Sequence, residues 1–158
     1  MSHETRPVAA IKKGTVIDHI PHGQALPIVH LLSLMKQKFK IMIGINLESK
    51  NFKIKDLIKI ENYLVTEDEA NMIVVFAPEA TINLIENFSV KQKITTCVPA
   101  DIKAVFACPN RACITQCEAI ESHFHIFQEN KKIYLSCDYC EKTFLRDAVK
   151  VKNACSKS

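Results

Sequence analysis

Two short cysteine hooks constrain what the last third of this 158-residue chain can become. Cys108 and Cys113 are spaced C-x4-C and, twenty-three residues later, Cys137 and Cys140 are spaced C-x2-C. Zinc takes four soft ligands at tetrahedral corners, and two hooks on separate turns supply four thiolates without long side-chain reach. With sulphur at every corner no position is left for water, so the expected site is a single structural Zn2+. A disulfide framework is the weaker reading, because the seven cysteines are odd in number and no basic segment followed by an apolar stretch opens the chain. An iron–sulphur cluster also accepts four cysteines but is usually held by denser runs. Cys97, Cys117 and Cys155 fall outside both hooks and read as free thiols.

From about Asp101 onward there are fewer than sixty residues, with scattered apolar positions such as Val105, Phe106, Phe124, Ile126, Ile133 and Leu135. So small a segment does not stabilise itself, and a bound metal would supply the missing folding energy. Net charge is +4, with Lys and Arg spread evenly rather than in the basic stripe of a duplex-DNA binder. The longest apolar run, near Ile28 to Met35, is broken by His30 and Ser33 and is too short to span a membrane. These features predict a cytosolic protein that binds neither nucleic acid nor membrane. Gly14, Gly23 and Gly44 are the only glycines and belong to no phosphate-cradling loop, so a phosphorylated ligand would have to be met by lysines.

The first hundred residues alternate strand and helix patterns. Val8 to Ile11 and Thr15 to Ile20 read as strands joined by Lys12-Lys13-Gly14. Gln24 to Lys36 places Ile28, Leu31, Leu32 and Met35 at helical spacing, with Pro27 tolerated in the first turn. Lys40 to Asn46 alternates Ile41, Ile43 and Ile45 on one face, and Asn51 to Asn62 holds a strand with Ile58 and Ile60 inward and Lys59 outward. Thr66-Glu67-Asp68-Glu69 is a capping box opening a helix that ends near Ala77, before Pro78. Thr81 to Phe88 follows as a strand, Ile82 and Leu84 facing one way, Asn83 and Ile85 the other. The order predicts an α+β protein with an N-terminal ferredoxin-like antiparallel sheet and two helices. His123 to Gln128, Lys132 to Ser136 and Thr143 to Val149 predict a small all-β metal-bound domain. The expected boundaries are a first domain over 1–98, a linker over 99–104, a metal domain over 105–153 and a frayed tail over 154–158.

Four stretches carry a resemblance. Residues 10–21 (AIKKGTVIDHIP), residues 55–62 (KDLIKIEN), residues 77–83 (APEATIN), and Cys108-Pro-Asn with Cys137-Asp-Tyr-Cys-Glu141 are together similar to the regulatory chain of aspartate carbamoyltransferase, in order and over essentially the whole chain. The resemblance implies a non-catalytic subunit of pyrimidine biosynthesis, pairing as a regulatory-chain homodimer, with a nucleotide-binding allosteric domain and a zinc domain that docks on the catalytic chain. It further implies CTP as inhibitor and ATP as activator. Carried over by position, Val8, Ala10 and Ile11 would hold the base; Asp18 and His19 would lie near ribose and phosphate; Lys59 would contact ribose or phosphate and Lys93 the triphosphate. Asn83, Ile85 and Val90 would complete the wall, with Leu57 packed nearby. Ala9, where relatives can carry a carboxylate, Phe88, where a tyrosine can occur, and Arg111 and Ala112 in the first hook depart from the pattern.

The residues also have plainer readings. Lys59 and Lys93 suit solvated strand positions, His19 a partly buried strand position without a ligand, Asp18 the orienting of a neighbouring turn, and Asn83 a sheet edge. His123 and His125 share one strand face, where surface or interface is the more ordinary place for them than a second metal. The alternative function is a zinc-ribbon module for nucleic acid or protein, which should interleave aromatic and basic residues on a sheet face. Nothing in the chain names a nucleophile and base, paired catalytic carboxylates or an open metal position.

Overall fold

The computed structural model describes residues 8–50 and 53–152, and the chain divides between Cys97 and Val98 into two compact units. In the first, β1 (Gly14–Ile20), β2 (Ile41–Glu48), β3 (Ile54–Glu61), β4 (Thr81–Glu86) and β5 (Ser89–Ile94) form one antiparallel sheet in the order β2-β3-β1-β4-β5. The helices α1 (Ala25–Leu31) and α2 (Glu67–Phe76) connect β1 to β2 and β3 to β4, the expected ferredoxin-like order with one further edge strand. Strand parity sorts the side chains. Ile17, Ile58, Ile60 and Ile82 are fully buried with Ile28 and Ile73 of the helices, whereas Val16, Lys59, Asn83 and Ile85 point to the face the helices leave open.

Polar groups inside this core are tied down. Thr15, fully buried, donates to the Tyr63 carbonyl at 2.6 Å and accepts from Val65 N–H at 3.1 Å. Asp56, 1 % exposed, accepts from the backbone amides of Gly23 at 3.0 Å, Asn46 at 3.1 Å and Ala25 at 3.4 Å, so one carboxylate joins the approach to α1 to a bulge in β2. The capping box forms as the sequence predicts: Thr66 Oγ1 accepts from Glu69 N–H at 3.2 Å and Glu69 Oε2 accepts from Thr66 N–H at 2.9 Å. Tyr63 O–H donates to the same carboxylate at 2.6 Å; partial burial and then the Glu69 charge push its phenol up to about 12.

Several segments depart from the sequence reading. Val8 to Ile11 is not a strand; β1 begins at Gly14, whose φ of +146° and whose absent Cβ, 2.0 Å from the Ile60 carbonyl oxygen, suit glycine alone. The helix expected to reach Lys36 ends at Leu31, because Ser33 turns to a φ of 52°, burying Leu34 and leaving Met35 79 % exposed. Ile45 is exposed because the β2–β3 register shifts between Gly44 and Leu47. β5 has no clear alternation in sequence, since Ser89 through Lys93 are all exposed on an edge strand.

The second unit has a four-stranded sheet in the order β10-β9-β8-β6, made by β6 (Asp101–Lys103), β8 (His123–Glu129), β9 (Lys132–Cys137) and β10 (Thr143–Leu145). A two-stranded ribbon pairs β7 (Phe106–Ala107) with β11 (Lys150–Val151), and α3 (Ile114–Cys117) is a single turn. β6 occupies residues expected to be linker, because Ile102 buries itself opposite Phe124. Thr143 to Val149 is strand only to Leu145 and then a 3-10 turn. Phe106, Phe124, Ile126, Ile133, Leu135 and Val149 make the core, with the Phe106 and Phe124 rings edge to face at 6.5 Å. The expected tail and Cys155 lie outside the described residues. No helix among the described residues is long and apolar enough to cross a membrane.

Candidate metal centre and sheet-face cavity

The four hook cysteines meet. Their sulphurs all lie within 4.8 Å of one another, with Cys108 to Cys140 and Cys113 to Cys137 each at 3.7 Å. Four sulphurs each about 2.3 Å from a central zinc would be separated by about 3.8 Å along tetrahedral edges, so the cage has the size zinc needs. Local turns build it. Cys113 N–H donates to the Asn110 carbonyl at 3.0 Å in the first hook, and Glu141 N–H donates to the Cys137 carbonyl at 2.9 Å in the second. The Gln116 side chain donates to the Cys108 carbonyl, and Thr115 O–H donates to Cys113 Sγ at 3.1 Å.

These donors favour thiolate. Burial opposes ionisation at Cys113, but the Thr115 hydroxyl and amide outweigh it and hold the thiol below its ordinary range. Burial likewise opposes ionisation at Cys140, yet hydrogen bonds from the Lys142 amide and the Asn110 side chain bring it to about 7. Burial pushes Cys108 and Cys137 up, so a cation is needed to draw those protons off. A four-thiolate site of this kind supplies structure and leaves no corner for a reacting ligand. Cys97 and Cys117 are exposed free thiols outside the cage. His123 and His125, the other metal-capable pair in the sequence, hold carboxylates: His123 bridges Asp101 at 2.8 Å and Asp138 at 3.0 Å, and His125 meets Asp138 at 2.8 Å.

On the open face of the first unit, a cavity of about 360 Å³ forms where β1, β3, β4 and β5 lie side by side. It gathers Ala10, Ile11, Asp18, Leu57, Lys59, Asn83, Ile85 and Val90 from the residues singled out in the sequence. Register explains why, since Val16 is the cross-strand partner of both Lys59 and Asn83, and Gly14 of Ile85. The Lys59 ammonium donates to the carbonyls of Val8 at 3.1 Å and Ala9 at 2.9 Å, tying the segment ahead of β1 to β3 as one wall. Asp18 accepts from His19 N–H at 2.6 Å and pairs with Lys55 at 2.7 Å.

Three expected residues do not line the cavity. Val8 contributes its carbonyl to Lys59, and His19, at a φ of 57°, turns its ring to Thr81 Oγ1 at 3.1 Å. Lys93 is the cross-strand partner of Asn83 on exposed β5. Two lining residues were not among those expected. Val16 needed only the strand pairing to be found; Phe88, 63 % exposed in the Asn87-Phe88 turn, sits there because its amide donates to the Lys12 carbonyl at 3.1 Å.

The family model "Aspartate carbamoyltransferase regulatory chain, allosteric domain" matches residues 6–96, and the corresponding "metal binding domain" model matches residues 100–150. Among curated relatives, the aspartate carbamoyltransferase regulatory chain of Photobacterium profundum is 46 % identical over 154 residues, covering 97 % of this chain and all of the relative. That of Vibrio cholerae is 45 % identical over 150 residues, covering 94 % and 97 %, and that of Chromobacterium violaceum 43 % over 145 residues, covering 92 % and 95 %. The nucleic-acid alternative is not favoured by these matches.

Proposed function

Because this chain belongs to the aspartate carbamoyltransferase regulatory-chain family, and so is a regulatory and not a catalytic subunit, we propose that its sheet-face cavity binds CTP as inhibitor and ATP as activator. The metal is zinc, and the metal unit carries the nucleotide signal to the catalytic chain. The observation that carries the nucleotide reading is the convergence of Ala10, Ile11, Asp18, Leu57, Lys59, Asn83, Ile85 and Val90 on one cavity. Its chemistry is divided as a nucleotide requires. Ile11, Val16, Leu57, Ile85 and Val90 offer an apolar wall to a base, while Asp18, Lys59 and Asn83 offer polar contacts to ribose. Lys93, beside Asn83 in the register, supplies a compact cation for phosphate where no glycine loop exists.

In this reading, nucleotides that bind unequally to two quaternary states shift the population of those states. A second regulatory chain completes a homodimer, and the five-stranded sheet leaves β2 and β5 as edges available to it. A cytoplasmic setting suits the free thiols Cys97 and Cys117, which a reducing compartment preserves.

Calorimetric titration of the zinc-loaded chain with CTP, then ATP, tests the proposal. We expect saturable, mutually competitive binding and no carbamoyl transfer without the catalytic chain. Lys93→Ala should weaken both nucleotides by about 1.5–3 kcal/mol, the range for a hydrogen bond to a charged group. Unchanged affinity for both would remove Lys93 from the site.

A further inference from the structure

Period two alone sets His123 and His125 on the same side of β8, and the fold adds two carboxylates that no local pattern announces. Asp101 comes from the neighbouring strand β6, where it is the cross-strand partner of His125. Asp138 comes from the second cysteine hook, where its N–H donates to the His123 carbonyl at 2.9 Å. The side chains form one run of contacts. His123 Nε2 meets Asp101 Oδ2 at 2.8 Å, His123 Nδ1 meets Asp138 Oδ2 at 3.0 Å, and His125 Nε2 meets Asp138 Oδ1 at 2.8 Å. The two imidazole centres are 5.4 Å apart.

This group has the parts of a metal site. Asp138 turns one oxygen to a nitrogen of each imidazole, so two nitrogens and a carboxylate converge. Asp101, at the far ring nitrogen of His123, can accept its N–H and so leave the Nδ1 lone pair for an ion, the support that metal-bound histidines commonly have. With neutral imidazoles, the two carboxylates supply the negative charge that a divalent ion needs. The His125 side chain is 59 % exposed and that of Asp138 41 %, so an ion can enter from solvent, while His123, at 20 %, is held between both carboxylates. The spacing selects the ion. A nitrogen and an oxygen 2.8–3.0 Å apart, each about 2.0–2.2 Å from a metal, subtend about 90°, an octahedral or tetragonal angle, whereas a tetrahedral edge would be about 3.4 Å. Imidazole donors disfavour Mg2+ and Ca2+, which take oxygen.

We propose that His123, His125 and Asp138 form a second metal site, for Ni2+ or Cu2+, with Asp101 as the positioning residue of His123. Its donors, nitrogen and carboxylate oxygen, differ from the thiolates of the cage. An ion there fastens β8 to the hook that carries Cys137 and Cys140, and so braces the cage from outside.

The test is a calorimetric titration of the zinc-loaded full-length chain with Ni2+, which leaves the free thiols unoxidised, with zinc measured by elemental analysis before and after. We expect one Ni2+ per chain to bind saturably while the cage zinc stays, and the ring-proton NMR signals of His123 and His125, but not of His30, to broaden. H123A/H125A should abolish the binding; H125A, which removes only the more exposed imidazole, keeps the test sound if the double variant loses zinc, and should weaken Ni2+ roughly tenfold or more. D101A should weaken Ni2+ by roughly tenfold to a hundredfold, with zinc content unchanged and with the broadening of His123 reduced more than that of His125. D101N, which keeps an acceptor oxygen, should recover part of that loss. Unchanged affinity in H123A/H125A, nickel uptake matched by zinc release, or no saturable binding to a chain that keeps its zinc would each overturn the site. Tighter binding of Zn2+ than of Ni2+ at these histidines would overturn the choice of ion.

Discussion

Removing the metal should unfold the second unit and leave the first folded. The second unit places few large apolar side chains in its interior, and Cys108, Cys113 and Cys137 are themselves among its most buried residues. Apparent metal-binding free energies in small four-ligand zinc modules are about 10–16 kcal/mol near neutral pH, more than a sheet of this size would retain by itself. Hydrogen exchange after treatment with a strong chelator would read the result directly. Amides of β8 and β9 should lose protection, while those of β1, β3 and β4 keep it. A Cys137→Ser, Cys140→Ser protein should behave in the same way and should fail to assemble with the catalytic chain. Protection retained in β8 and β9 without metal would show that the apolar core suffices. Metal affinity should also fall with pH, because thiol protons compete with the ion. Cys140, held at about 7 before metal binds, takes up its proton below neutrality, and the raised Cys108 and Cys137 release theirs only to the cation.

Asp56→Ala should be the most damaging single substitution in the first unit that touches neither cavity nor metal. The carboxylate is buried and accepts three backbone amides, two from the entry to α1 and one from the bulge in β2. Its removal leaves those donors without their charged acceptor, at a cost of about 3–5 kcal/mol. Urea unfolding followed by a probe confined to the first unit would measure it. A loss below about 1 kcal/mol would mean that water replaces the carboxylate. An effect on nucleotide affinity is also expected, because Asp56 fixes the end of β3 from which Leu57 and Lys59 enter the cavity.

What could be read from the sequence was local. The hooks announce a tetrahedral site because cysteine spacing is itself the geometry, and Thr66 with Glu69 announces a helix start because both halves of the box lie within four residues. Ile58 and Ile60 could be set inward by period two, which also set Lys59 outward. What could not be read depends on distant partners. Val8 to Ile11 has strand-like composition, but the Lys59 ammonium takes the Val8 and Ala9 carbonyls. The strand expected there would have used them in a ladder. β5 is an exposed edge whose pairing comes from β4 and not from its own pattern. The convergence of the cavity residues is a matter of register among four strands, which no single segment encodes.

Cys137 ends β9 directly across from Phe124, the fully buried centre of the second unit. The ion and the packed interior thus share one strand pair, and neither can loosen without the other. The rate at which a chelator draws off the metal is consequently a gauge of how well the interior fits. A conservative change such as Phe124→Leu, distant in chemistry from any sulphur, should register first as faster metal loss, before helix or sheet content changes.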